Sequence, residues 1–135
     1  MGTYYNRMQK RSKSTEQLDF EIRFYERLLA THPQFAEALM ALGEAYTRRG
    51  WHEKGLTVDL KLTQLKATDP VVWYNLACSY ALLNRLDDSF ASLSRAIDLG
   101  YNDFEHLLND PDLSLLRQSP KLRHLLERQA HKPTA

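Results

Sequence analysis

This chain of 135 residues has little of several features that define common protein classes. Its single cysteine, Cys78, allows no intramolecular disulfide and no cysteine cluster for a metal. No apolar run reaches the length that crosses a bilayer, and none follows the N-terminal cations as in a secretory signal. The net charge of +1 gives no overall attraction to nucleic acid or to an anionic membrane. We therefore expect a cytoplasmic protein that binds neither.

The residue types used in catalysis are present without the spacing that catalysis requires. The five histidines include no i, i+4 pair of the kind that binds zinc in metalloproteases. Cys78 lies in an apolar helical segment, where a buried small side chain is expected, and no general base can be assigned to it. The glycines stand at packing and helix-ending positions and form no phosphate-binding loop. The sequence predicts no enzyme, no cofactor and no metal site.

The chain does contain an internal repeat with a period of 34 residues. A shift by this period places residues 42–46 (LGEAY) on residues 76–80 (LACSY), and it places Gly50 on Asn84. Periods of this length are typical of helix pairs that bury their apolar faces only by stacking on neighbouring pairs. No segment alternates long enough to predict a strand. The sequence therefore predicts an all-α fold of stacked helix pairs.

Apolar residues at helical spacing divide the chain into short helices. Gly50 and Gly100 are expected to end helices, Asn84 to adopt a left-handed cap, and Asp69 with Pro70 to begin a helix. We predict helices over residues 15–32, 34–49, 51–67, 70–83 and 86–99, and shorter ones over 103–108, 110–117 and 120–129.

One residue of the third predicted helix departs from the repeat. Asp59 stands where the equivalent residues, Tyr25 and Leu93, are apolar. Either the buried face of this helix is rotated, or Asp59 pairs with a nearby cation; we favour a surface ion pair, because such pairs are common and cost little. The expected apolar members of this helix are Leu56, Leu60, Leu62 and Leu65.

The repeated residues resemble the tetratricopeptide repeat family, in which each repeat is a helix–turn–helix of about 34 residues. The favoured positions of the first repeat hold Leu39, Leu42, Gly43, Tyr46, Gly50, Gly55 and Leu62. Those of the second hold Trp73, Leu76, Ala77, Tyr80, Asn84, Ser89 and Ala96. The proline near the end of each repeat is replaced by Ala67 and Tyr101.

The resemblance covers about residues 18–99 and implies a right-handed α-solenoid of antiparallel helix pairs. Terminal repeats of such arrays need a polar outer face, so we expect a short C-terminal capping helix. We divide the chain into a basic flexible tail (1–14), a helical domain (15–128) and a second flexible tail (129–135). Within the domain we assign a half-repeat (15–33), two repeats (36–69 and 70–103) and a degenerate cap (104–128).

In this family the first helix of each repeat lines a concave groove that holds a partner. The resemblance implies that apolar residues of these first helices form the floor of the groove and that polar residues provide its contact points. Asn75 could hydrogen-bond a peptide backbone or tie adjacent helices together, and Met40 and Tyr74 could instead pack within the groove wall. The implied groove residues are Met40, Glu44, Thr47, Arg48, Tyr74, Asn75, Cys78 and Leu82.

We expect a non-enzymatic protein–protein interaction module of adaptor, scaffold or co-chaperone type, which binds a peptide of a partner protein. We expect it to be a monomer or a weak homo-oligomer. Some family members clamp an acidic peptide terminus with converging cations. Asn75 matches one clamp position, but Glu44, Glu105 and Asn109 do not match the others, so we do not predict this clamp. The alternatives are a homo-oligomerising scaffold subunit or a secretion-type chaperone that uses the same apolar surface. A third, less favoured alternative is that the basic N-terminal tail binds nucleic acid.

Overall fold

The computed structural model describes residues 13–131, and every regular element within that range is helical. Within these residues a single 3-10 turn, Pro111–Leu113, lies among the α-helices. The α-helices in chain order are α1 (Thr15–Thr31), α2 (Ala36–Arg48), α3 (His52–Leu65), α4 (Pro70–Leu82), α5 (Leu86–Asp98), α6 (Phe104–Asn109), α7 (Ser114–Arg117) and α8 (Pro120–Ala130).

Local sequence signals account for where these helices begin and end. Ser14 and Gln17 form a capping box at the start of α1: each side chain accepts a backbone N–H of the other, at 3.1 and 2.8 Å. The Asp69 carboxylate accepts the Val71 N–H at 2.9 Å and so caps α4, as predicted.

The predicted turn residues adopt left-handed backbone conformations. Gly50 has φ of 85°, Asn84 of 59° and Gly100 of 109°. Helix ends of this kind favour glycine or asparagine, because a β-carbon crowds the backbone there. The equivalent positions Gly50 and Asn84 thus end α2 and α4 in the same way, as the repeat predicts.

Consecutive helices pack as neighbours, with α1 on α2, α2 on α3, α3 on α4 and α4 on α5. This confirms the predicted all-α fold of neighbouring helix pairs. The core has two parts. The first contains Leu18, Ile22, Leu39, Leu42, Ala45, Tyr46, Val58, Leu62 and Val72. The second contains Tyr74, Ala77, Cys78, Ala81, Leu93, Ala96, Ile97, Leu107, Leu113, Leu116, Leu122 and Leu125.

Small residues at the repeat positions let the helices approach closely. A β-carbon on Gly43 of α2 would lie 3.2 Å from Oδ1 of Asp59 on α3. Ala77 of α4 is fully buried, and its carbonyl accepts a hydrogen bond from the Ser89 hydroxyl of α5 at 2.7 Å. Larger side chains at these positions would overpack the interfaces.

The buried face of α3 differs from the prediction. Leu60 and Leu65 are 39% and 37% exposed, whereas Val58, Asp59 and Thr63 are buried. The surface ion pair proposed for Asp59 is therefore wrong, and the rotated-face interpretation is the one that fits. The face turns because α3 must present side chains to both α2 and α4, between which it packs.

The predicted tails also need correction at their inner ends. Ser14 caps α1, and Lys13 Nζ lies 2.6 Å from Glu21 Oε1, so both residues belong to the helical domain. α8 continues through Ala130, so residues 129 and 130 are helical and not a tail. The rest of the predicted tails, residues 1–12 and 132–135, lies outside the described residues. Among the helices described, none combines the length and apolarity that crossing a bilayer requires.

Candidate functional site

A small cavity lies where α2, α3 and α4 meet the 3-10 turn, and we call it the α2–α4 cavity. Its volume is about 40 Å³, which is close to the space that one water molecule or the tip of one side chain fills. Its walls are mostly polar. They are formed by Met40, Gly43, Glu44, Thr47, Asp59, Asn75, Cys78, Ser79 and Asp112.

The structure brings five of the eight predicted groove residues together in this wall: Met40, Glu44, Thr47, Asn75 and Cys78. Arg48 does not line the cavity, but its guanidinium donates to the carboxylate of Glu44, which does. The side chain of Arg48 is 11% exposed, and its Nε is buried without a hydrogen-bond partner among the described residues. Leu82 is half-buried at the end of α4 and does not line the cavity.

Tyr74 is a core residue and not a groove contact, which corrects the prediction. It is 3% exposed, and its ring stacks on Tyr101 with 4.3 Å between centroids and 7° between planes. Its hydroxyl donates to Asp110 Oδ2 at 2.8 Å. Burial raises the pKa of Tyr74 far above the usual range, and the neighbouring Cys78 and Asp110 act in the same direction. The family resemblance placed Tyr74 in the groove, but Tyr101, His106 and Asp110, which follow α5, pack against its side chain and bury it.

Asp110 organises the C-terminal side of the cavity. It is 1% exposed and, besides Tyr74, it accepts the Asp112 N–H at 3.0 Å and lies 3.3 Å from His106 Nε2. Arg117 donates to the Asp110 backbone carbonyl. A buried carboxylate is tolerated when several donors satisfy it. Asp110 therefore fastens the 3-10 turn to α4 and holds Asp112 in the cavity wall.

Asp59 forms part of the cavity wall from α3. It is 7% exposed, and its Oδ2 accepts the Ser79 hydroxyl of α4 at 2.5 Å. Burial raises its pKa to about 7, the Ser79 hydrogen bond opposes that rise, and the nearby Glu44 charge adds to it. The charge of Asp59 in the cavity wall therefore changes near neutral pH.

The thiol of Cys78 is buried, as predicted, at 7% exposure. Its Sγ lies 3.7 Å from Asp110 Oδ2, and Cys78, Asp110 and Asp112 offer ligand-type atoms within 4.8 Å of one another. The Asp110 carboxylate already accepts donors from Tyr74 and Asp112. These contacts explain the cluster as part of the fold, so we assign it no metal.

The electrostatic character of the site differs from the sequence-based expectation. The resemblance predicts an apolar groove floor, but Tyr74 is buried in the core and Leu82 does not line the cavity. In their place the wall holds the carboxylates of Glu44, Asp59 and Asp112, with Asp110 directly behind. The cavity is therefore polar and surrounded by acidic groups.

Sequence reasoning missed four wall residues: Gly43, Asp59, Ser79 and Asp112. Asp59 carried a signal, because it broke the apolar pattern of its repeat position. Ser79 aligns with Ala45 in the repeat, and nothing in the sequence indicates that it lines a site. Asp112 lies outside the repeat, and only the folding of the 3-10 turn onto α4 brings it to the cavity.

No family model matches the sequence. A chloroplastic protein of Arabidopsis thaliana is similar to this chain, with 33% identity over 88 residues. The matched stretch covers 63% of this chain and 26% of that protein. The chain therefore spans about a quarter of the length of the relative.

Proposed function

We propose that this protein is a non-enzymatic interaction module of the tetratricopeptide repeat type, which binds a peptide segment of another protein at the α2–α4 cavity. The 34-residue repeat and the packing of consecutive helices as neighbouring pairs support the repeat assignment. Cytoplasmic location and the right-handed solenoid arrangement are part of this proposal.

The single observation that carries the binding proposal is the convergence of unlike polar groups on one small cavity. Asn75 offers an amide that both donates and accepts, and Glu44, Asp59 and Asp112 offer carboxylate oxygens. Met40 adds an apolar edge. Peptide sites commonly combine a few placed polar groups with apolar contact.

The acidic wall defines the chemistry of the partner. A lysine or arginine that enters among these carboxylates would gain charge-assisted hydrogen bonds. The cavity holds little more than the end of one side chain, so we propose a single basic anchor on a segment whose backbone Asn75 contacts. A small, largely preformed site of this kind gives affinities on the order of micromolar.

A phage-displayed library of random dodecapeptides tests the proposal. We expect the intact protein to select peptides that share one lysine or arginine, and we expect Asn75→Ala and Asp112→Asn to lose them. Asp98→Asn is the matched control, because Asp98 is exposed at the end of α5, away from the cavity wall. Selection of no peptides, of peptides without a basic residue, or of the same peptides by both cavity variants would refute the proposal.

A further inference from the structure

The outer face of α1 carries large apolar side chains exposed to solvent. Its inner residues Leu18 and Ile22 are buried against α2, and the opposite side of the helix faces away from the core. Phe20 and Phe24 lie there, 65% and 53% exposed, one helical turn apart. We call this surface the α1 outer face, and it consists of Glu16, Phe20, Arg23, Phe24, Arg27 and Leu28.

The α1 outer face is a continuous surface along most of the helix. A shallow hollow of about 400 Å³ is lined by Phe20, Arg23, Phe24, Arg27 and Leu28. A second hollow, lined by residues from Lys13 to Glu21, meets the first at Phe20. From Glu16 to Leu28 the face runs about 18 Å at 1.5 Å per residue. Two exposed phenylalanines on one small surface indicate an interaction site.

The charges along this face are complementary to those of a second copy that lies in the opposite direction. Glu16 lies near the start of α1, Arg23 lies at its midpoint and Arg27 lies in its second half. In an antiparallel pairing centred between Glu21 and Ile22, Glu16 comes opposite Arg27 of the second copy. The same pair then occurs twice, with the phenylalanines between the two ion pairs. A two-fold interface requires this kind of self-complementarity.

The residues that precede α1 in sequence do not have the charge that this face requires. Residues 1–12 contain Arg7, Lys10 and Arg11 and no acidic residue. They would bring like charge to Arg23 and Arg27. A second copy instead brings its Glu16 opposite Arg27, and the two-fold axis repeats this pair at the other end of the interface. Charge complementarity therefore selects the second copy as the occupant.

We propose that the α1 outer face binds the α1 outer face of a second copy in antiparallel orientation and forms a two-fold dimer. The surface is small, so the dimer is weak and depends on protein concentration. The inference is independent of the α2–α4 cavity, because the α1 outer face and the cavity wall share no residue.

Sedimentation equilibrium of the full chain from about 10 µM to 1 mM tests this, since weak small interfaces associate in that range. We expect a monomer–dimer equilibrium. Phe20→Gln combined with Phe24→Gln should raise the dissociation constant at least about tenfold, because buried aromatic residues dominate interface energies. Arg27→Glu should weaken the dimer, and Glu16→Arg combined with Arg27→Glu should restore it, because the swapped charges again pair. Arg123→Glu on the exposed side of α8 is the matched control and should change nothing.

Three results would overturn the proposal. The first is a monomer at every concentration. The second is a dimer that the double phenylalanine variant leaves intact or that the charge swap fails to restore. The third is association that appears only after deletion of residues 1–12, which would show that those residues cover the face. All substituted positions are exposed, and far-ultraviolet circular dichroism verifies that each variant stays folded.

Discussion

The Ser79 hydroxyl donates a hydrogen bond to the Asp59 carboxylate across the contact between α3 and α4, with 2.5 Å between Oγ and Oδ2. Both residues are buried, and both line the α2–α4 cavity. This contact joins α3 to α4, which lie in successive copies of the 34-residue sequence repeat. It therefore couples the packing of the helices to the charge of the proposed binding site.

The titration of Asp59 should make the protein less stable as pH rises towards neutrality. Its pKa is about 7 in the folded state, against an ordinary value of 3.8. Between these values the folded state binds more protons than the unfolded state, so the free energy of unfolding falls with rising pH. The full loss is roughly 4 kcal/mol as an upper bound, at 1.36 kcal/mol per pKa unit. Urea denaturation at pH 5, 6, 7 and 8 measures the part of this loss that falls in that range, about 2–3 kcal/mol.

Asp59→Asn keeps an oxygen that accepts from Ser79 and removes the titrating group. We expect its free energy of unfolding to fall less between pH 5 and pH 8 than that of the wild type. Asp98→Asn removes an exposed carboxylate and should preserve the wild-type slope. Equal slopes for the wild type and Asp59→Asn would contradict the assignment of the pH dependence to Asp59.

Tyr74→Phe should destabilise the fold by about 1–3 kcal/mol, because it leaves buried Asp110 without one of its donors. Chemical denaturation at pH 7 measures the change. Tyr80→Phe is the control: within residues 13–131 no hydrogen bond of its hydroxyl is found, and Arg85 covers its ring. We expect the control to stay within about 0.5 kcal/mol of the wild type. A neutral Tyr74→Phe would mean that this hydroxyl does not hold the 3-10 turn.

Ala77→Leu should cost about 1–3 kcal/mol through overpacking of the contact between α4 and α5. Ala77 is fully buried, and its carbonyl accepts the Ser89 hydroxyl, so added methyl groups must separate two helices. Thermal denaturation gives the change. Ala91→Leu on the exposed side of α5 makes the same substitution where there is room. An unchanged melting temperature for Ala77→Leu would argue against the repeat alignment that assigned a small residue to this position.

The sequence predicted the helices well and the site only in part, for a physical reason. Gly50, Asn84 and the Asp69 cap are local signals, which depend on the backbone of a few neighbouring residues. The buried face of α3 depends on two partner helices at once, so a local pattern misplaced Leu60.

Tyr74 and Asp112 show the same limit at the site. The repeat predicts neither the burial of Tyr74 nor the position of Asp112. Both depend on the non-repeating segment from Tyr101 to Asp112, which packs against α4. Residues that repeat are set by helix packing. Residues that define the cavity are set partly by contacts between segments that are distant in sequence.

The equivalent turns at Gly50 and Asn84 both adopt a left-handed backbone, and substitutions at the two positions should reveal its cost. Gly50 has φ of 85° and an open space where a β-carbon would lie, so Gly50→Ala meets no clash and pays only for the left-handed backbone, about 1 kcal/mol. Asn84 already carries a β-carbon at φ of 59°, so Asn84→Gly should be close to neutral and Asn84→Val should cost about 1–2 kcal/mol. Urea denaturation of the three variants at one pH compares them directly. If Asn84→Val were as stable as the wild type, the left-handed cap would not be what ends α4.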